Sequence, residues 1–432
     1  MWFDLDDAQR EFARTLNRML SAADTPAVAR AWAAGEHGPG RALWTRLSDA
    51  GVFALAVPEA YEGVGPLPVE LAVALIEAGR HAVPGPLVET VAASALLTAL
   101  AEEADASAGD PGDNAQALGG TTPSTGDTPR NPDSTTPSTG HNPRNPDSTT
   151  PSTGENPQNP DSTAPSTGHN PQNPGSTTGN ADDATKDAHD TARGPDDITE
   201  SSARAAAGFW LPRIASGRAS VTLAAPAGGP YALDADAADA VFVVEAEGPT
   251  LRLAAGHSPV QPSFDPARRL ARPVPAGTVL ARGRAVAAAT ARATDWAAFA
   301  TAAQTLGVGL TLLDRTVAYA KQRAQFGRPI GSFQAVKHRL ADVHVALEFA
   351  RPLLYGAAVA LARGARDAGA AVAAAKVAAG EAAYDAARAA LQLHGALGYT
   401  DEYPLSLWFR KARALRMAWG SPAHCRARVL AG

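Results

Sequence analysis

Apolar residues recur at three- and four-residue steps through Leu306, Leu310, Leu313, Val317 and Ala320, which predicts one long helix with a single apolar stripe. The pattern stops at Phe326-Gly327-Arg328-Pro329, because glycine ends helices easily and proline cannot continue one. Ser332 stands where an N-cap belongs, ahead of a second periodic run through Leu340, Val343 and Leu347. Arg323 and Phe326 therefore fall at the end of one helix, and Gln334 at the start of the next. A cation, an aromatic ring and an amide at such a corner suit an anionic, planar ligand. A plain polar corner in a helical bundle also accounts for them.

The same reading extends to the rest of the chain. Leu5, Phe12, Leu16 and Leu20 predict a first amphipathic helix; Trp44, Leu47 and Ala50 predict another that ends at Gly51. Leu55 to Gly65 is a loop rich in breakers, and Val69 to Ala82 a further helix that Val83-Pro84-Gly85-Pro86 ends. Between 102 and 204 the pattern vanishes into Thr, Pro, Ser, Asn, Asp and Gly, with tandem copies at Thr121–Ser134, Thr135–Ser148, Thr149–Ser162 and Thr163–Ser176. The copies hold no apolar positions to stack, so no solenoid is expected; a disordered insert is, because nothing there offsets backbone entropy. Alternation at Ala240–Glu245 and Thr250–Ala254 predicts strands of a small β-domain. Thr294 is placed to cap a helix beginning at Asp295-Trp296, and the alanine-rich run Ala370–Leu393 predicts another.

Composition narrows the function. The 432 residues suffice for two or three domains, and a net charge of −6 gives no support for a nucleic-acid or membrane-surface role. There is no uninterrupted apolar span of about twenty residues, so no membrane helix is expected. The opening Met1-Trp2-Phe3-Asp4-Leu5-Asp6-Asp7 is acidic where a signal peptide is basic, which points to a cytoplasmic protein. One cysteine, Cys425, excludes a disulfide framework, and its expected setting is a buried one. His338 and His344 do not share a helix face at metal-ligand spacing, so no metal site is expected. Neither a Walker A sequence nor a strand-linked Gly-x-Gly-x-x-Gly is present.

Two long motifs carry a family resemblance. Arg323-Ala-Gln-Phe326-Gly327-Arg-Pro-Ile-Gly-Ser-Phe333-Gln334, with Leu340-Ala-Asp342 after it, resembles the flavin-contacting segment of acyl-CoA dehydrogenases. Gln392-Leu-His-Gly395-Ala396-Leu-Gly398-Tyr399-Thr400-Asp401-Glu402-Tyr403-Pro404 resembles the same family's Gln-x-x-Gly-Gly-x-Gly-Tyr-Thr-x-Glu-x-Pro, followed by the basic stretch Arg410-Lys411-Ala412-Arg413. Val57-Pro58-Glu59 with Gly63 and Gly65, and Phe209 to Leu223, resemble the family's N-terminal loop and the entry to its β-domain. The resemblance implies an α+β, mostly α fold: a helical N-terminal domain (1–101), the low-complexity insert (102–204), a reduced central β-domain (205–290) and a C-terminal four-helix-type bundle (291–432). It also implies FAD as cofactor and an acyl-CoA thioester as substrate. The implied cofactor-binding residues are Arg323, Phe326, Gln334, Gln392 and Gly395.

The departures matter as much. Such enzymes need a carboxylate beside the substrate's α-carbon and a flavin stacked on the acyl chain. Where the family carries its catalytic glutamate, this chain has Trp419, and Ala423 replaces a flavin-contacting glutamine. At the alternative position used by some members stands Ala297. The β-domain stretch that holds the flavin reads Ala224-Ala-Pro226-Ala-Gly228-Gly229-Pro230, without acid, serine or threonine. The family's flavin lies between two subunits, and this chain keeps mainly the set a neighbour lends. The expectation is a non-catalytic or half-site subunit beside a paralogous acyl-CoA dehydrogenase chain, as in the actinobacterial heterotetramers that act on steroid side-chain CoA esters. The alternatives are a homomeric enzyme with a displaced base, for which Asp295, Asp401 and Glu402 are weak candidates, and a flavin-free binding protein on the same scaffold.

Overall fold

The computed structural model describes residues 4–108, 195–274, 276–401 and 403–431. The N-terminal helices are α1 (Asp7–Ser21), α2 (Thr25–Ala33), α3 (Gly38–Asp49), α4 (Pro68–Arg80) and α5 (Leu87–Ala108). A reciprocal capping box between Asp6 and Gln9 starts α1, and its apolar stripe puts Leu16 and Leu20 fully inside. The predicted stop after α3 is where the sequence places it, with Gly51 in the left-handed region at φ 78°. After the insert come α6 (Pro195–Ala215) and the strands β1 (Val221–Ala224), β2 (Ala232–Leu233), β3 (Ala240–Glu245), β4 (Thr250–Ala254), β5 (Leu270–Ala271) and β6 (Gly277–Arg282). β1, β3, β4 and β6 form one sheet in that order, with β1 parallel to β3 and the other pairs antiparallel. Trp210 of α6 meets the fully buried Phe242 of β3 edge-on, which seats the helix on the sheet.

The C-terminal part holds α7 (Arg284–Gln322), a two-stranded ribbon of β7 (Ala324–Gln325) and β8 (Arg328–Pro329), and then α8 (Gln334–Ala362), α9 (Ala368–His394), α10 (Leu405–Met417) and α11 (Pro422–Ala431). α7 is the central post: every residue from Trp296 to Leu313 is buried, against α4, α5, α8, α9 and α10. Helices pack this closely only where side chains are missing. A Cβ on Gly307 would lie 1.9 Å from the Ile76 carbonyl oxygen, and one on Gly79 2.0 Å from that of Gln304, so α4 and α7 touch backbone to backbone. Buried hydroxyls on α7 are satisfied within the helix, Thr301, Thr305 and Thr316 each donating to the carbonyl four residues back.

Several boundaries differ from the sequence reading. The helix expected to begin at Asp295 starts eleven residues earlier, at Arg284, directly off β6 and the φ 86° turn at Gly283. Thr294 caps nothing; it lies inside α7 and its hydroxyl donates to the Thr290 carbonyl. Ser332 is not the cap of α8 either, which opens at Gln334 after Phe333. The low-complexity segment is flanked by more helix than expected, since α5 runs to Ala108 and α6 begins at Pro195; the tandem repeats themselves lie outside the described residues. Among the described residues two helices, α7 and α8, hold windows long and apolar enough on average to cross a membrane. In α7 that window is wholly buried, the position of a core helix, whereas in α8 it is 33% buried and its open side carries Val345, Phe349 and Leu353.

Candidate functional site

The predicted ligand corner faces outward. Arg323 ends α7, its N–H donating to the Tyr319 carbonyl, and its own carbonyl accepts from Ile330 N–H across the ribbon. The turn of the ribbon is Phe326-Gly327, with φ of 52° and 77°, the geometry of a tight two-residue hairpin. A phenylalanine rarely adopts positive φ. Here that conformation lifts the ring clear of the fold, 92% exposed. Phe333 steadies the base of the turn, with the Arg328 guanidinium 4.2 Å above its ring and Phe326 edge-on to it. Gln334, exposed, begins α8.

The second motif arrives at the same corner. Tyr319 on α7 stacks on His394, the last residue of α9, at 4.1 Å. His394 is held by the Ala390 carbonyl at 2.8 Å, and burial holds its pKa below the usual imidazole range. The stack joins the end of α7, with Arg323, to the end of α9, with Gln392 and Gly395. Gln392 is exposed and shares a shallow groove with Arg339, Asp385, Arg388 and Leu391. Gly395 caps α9 at φ 60°, a conformation glycine adopts without cost. Five residues picked from two distant motifs thus occupy one end of the bundle, with polar groups open to solvent.

The segment around Trp419 is closed. Trp419 follows α10 in a left-handed turn at φ 52°, with Gly420 at φ 124°. Its indole is 5% exposed and lies so close to the turn Pro226–Gly228 that a Cβ on Gly228 would sit 3.0 Å from the ring. Its N–H donates to Glu89 Oε1 at 3.0 Å. The loop is set by the buried Lys376 on α9, whose ammonium donates to the carbonyls of Leu415 and Arg416 at 2.9 and 3.2 Å and reaches that of Gly420 at 3.5 Å. A cation at a helix C-terminus satisfies carbonyls left over by the last turn. Burial pulls this lysine down to about 8, against the nearby Cys425 thiol, which favours its charged form.

Beyond the indole lies a cluster that sequence reading missed. Glu89 on α5 is fully enclosed; burial raises its pKa, opposed chiefly by Arg268 and by the Trp419 hydrogen bond, and its Oε2 has no partner. Asp234 accepts from Trp32 Nε1 at 3.0 Å and is pushed up to about 7, mainly by burial. Lys411 and Asp265 pair at 3.1 Å, both buried. Between Glu89, Asp234, Arg268, Gln304 and Lys411 remains a cavity of only about 10 Å³, room for about one water. The signal for Glu89 was present: it is an acid within the apolar run from Leu87 to Leu100.

The weak acid candidates have other tasks. Asp295 pairs with Arg428 at 2.7 Å, tying α7 to α11. Asp401 is exposed, its carboxylate bound by Arg410 and its carbonyl by Arg30. Glu402 lies outside the described residues. Ala297 is fully buried in α7. Among the described residues no His, Cys, Asp and Glu group has the arrangement to hold a metal.

This architecture is that of a helical dehydrogenase with a small β-domain between two helical parts. The acyl-CoA dehydrogenase N-terminal domain matches residues 6–106 and the acyl-CoA dehydrogenase C-terminal domain residues 283–431, together more than half of the chain. The chain belongs to the acyl-CoA dehydrogenase family, a family of oxidoreductases. It is 35% identical over 194 residues to acyl-CoA dehydrogenase IpdE2 of Mycolicibacterium smegmatis, covering 44% of this chain and 58% of that protein. It is 43% identical over 122 residues to glutaryl-CoA dehydrogenase of Desulfococcus multivorans, covering 28% of this chain and 31% of that protein. The matched stretch thus spans little more than half the length of the first of these curated relatives and under a third of the second. Among solved structures it shares its fold with the ChsE4–ChsE5 complex of Mycobacterium tuberculosis, at 20% identity and TM-score 0.65, covering 100% of this chain and 98% of that one. It also resembles butyryl-CoA dehydrogenase of Megasphaera elsdenii, at 17% identity and TM-score 0.64, covering 100% and 99%.

Proposed function

We propose that this chain is a non-catalytic, half-site subunit of a heteromeric FAD-dependent acyl-CoA dehydrogenase, lending one side of the flavin site to a paralogous chain that carries the acid. The observation behind this reading is the contrast between the two halves: an open corner with Arg323, Phe326, Gln334, Gln392 and Gly395, and a closed one filled by Trp419. The open half suits an anionic cofactor. Arg323 offers a guanidinium fork for pyrophosphate oxygens, Gln334 and Gln392 offer amides, and Gly395 lets backbone approach. The closed half does not fit one: the turn Pro226–Gly228 has no hydroxyl or carboxylate, and the indole lies against it. FAD, when bound, accepts the substrate's β-hydride. The α-proton needs a carboxylate that only the partner is proposed to supply. That a structural neighbour is a ChsE4–ChsE5 complex, and another a steroid ACAD of two named chains, favours a paralogue over a second copy and a steroid-derived acyl-CoA as substrate.

A homomeric enzyme with a displaced base is the rival. Its best residue among the described acids is Glu89, not Asp295 or Asp401, because Glu89 accepts from the Trp419 indole N–H while Asp295 pairs with Arg428 and Asp401 with Arg410. Against it, a cavity of about 10 Å³ has no room for an acyl chain. The test is to express the chain alone and with any paralogous acyl-CoA dehydrogenase found encoded beside it, and to repeat the co-expression with Arg323→Ala. Flavin retained by the wild-type complex and lost from the Arg323→Ala complex, with both complexes intact by gel filtration, is the expected result.

A further inference from the structure

We propose that Glu89 is a positioning residue that latches the Trp419 indole across this chain's own acyl-side cavity, and that the pocket the indole fills is, once the indole is removed, a site for a flat bicyclic aromatic carrying one N–H. That the cavity is the acyl side rests on the half-site reading; the latch itself rests on geometry alone.

Three devices converge on one indole. Lys376 fixes the backbone through the carbonyls of Leu415 and Arg416. Gly420 permits the turn: a Cβ there would lie 2.8 Å from Cys425 Sγ, at a φ of 124° that side chains rarely adopt. Glu89 supplies the acceptor at 3.0 Å. Packing alone would need no acceptor, since an apolar ring of the same shape fills a void equally well. A fully enclosed carboxyl, with its other oxygen unpartnered, is a costly substitute for a leucine. It is explained if the acceptor selects one orientation of one N–H-bearing ring and so keeps the left-handed turn from relaxing outward. Removing the indole leaves a walled space with that acceptor still in place, and such spaces take up the group that was deleted.

The experiment uses the full chain, without flavin or partner, so its outcome is independent of whether the half-site reading holds. Trp419→Ala is expected to melt about 10 °C below wild type. Millimolar indole is expected to recover about a third of that loss, and indene, with the same shape but no N–H, markedly less. Equal recovery by both ligands, or recovery by neither, overturns the proposal. A second measurement covers poor folding of that variant: the Trp419 Nε1–H resonance, assigned by its loss in Trp419→Phe, is expected to exchange with solvent about tenfold faster in Glu89→Leu than in wild type. Unchanged exchange overturns the latch.

Discussion

Replacing Lys376 by methionine isolates one electrostatic tension in the Trp419 loop. The side chain is 2% exposed, and burial lowers its pKa from 10.5 to about 8. At 1.36 kcal/mol per unit, the folded state disfavours the charged form by about 3 kcal/mol. The sign follows from proton counting: between pH 8 and 10.5 the unfolded chain still holds a proton that the folded chain has released, so folding becomes more favourable as pH rises through that window. Below pH 8 both states are charged and the difference between wild type and Lys376→Met stays constant. Urea unfolding of both proteins at half-unit steps from pH 7 to 10.5 measures this directly. The wild type is expected to gain on the variant by about 3 kcal/mol, nearly all of it above pH 8. Repeating the pair in a Cys425→Ser background removes the one thiol coupled to the lysine. A difference curve flat across the whole range would refute the claim that Lys376 is charged and desolvated where it holds the carbonyls of Leu415 and Arg416.

Two further substitutions probe the scaffold. Asp234 is raised from 3.8 to about 7, so between those pH values the folded state keeps a proton the unfolded state has lost, and stability falls as pH rises; Asp234→Asn should cancel a loss of about 4 kcal/mol between pH 4 and 8, and parallel pH curves for the two proteins would contradict this. Gly307→Ala drives a Cβ to 1.9 Å from the Ile76 carbonyl and should cost about 2–3 kcal/mol by thermal or urea unfolding, while Gly208→Ala, with nothing within 4 Å, should cost nothing; equal effects would mean that α4 and α7 are not in backbone contact.

How much was readable in advance depended on whether the cause was local. Ala240–Glu245 and Thr250–Ala254 are strands to the residue, because alternation and flanking turns are local signals. The break at Gly327 and Pro329 and the stop at Gly51 were visible for the same local reason, since glycine takes positive φ freely and proline cannot continue a helix. Thr294 misled because a competent capping side chain says nothing about whether the chain before it is already helical; here β6 hands over to α7 at Gly283, eleven residues upstream. The residues of the proposed open half were named from motif, and the structure gathers them at one end of the bundle. The closed half was legible only as a substitution at Trp419. Its partners Glu89, Gly228 and Lys376 come from 330, 191 and 43 positions away in sequence, and burial of an acid or a lysine is decided by those distant neighbours, not by its own flanks.

The division of labour between the two halves is tested most directly by counting flavin. The chain purified alone, and purified with its co-expressed paralogue, is denatured and the released FAD quantified by absorbance against protein. The account predicts essentially no flavin and no acyl-CoA oxidation for the chain alone, and flavin with turnover for the complex. One FAD per chain in the isolated protein, together with acyl-CoA oxidation, would contradict it.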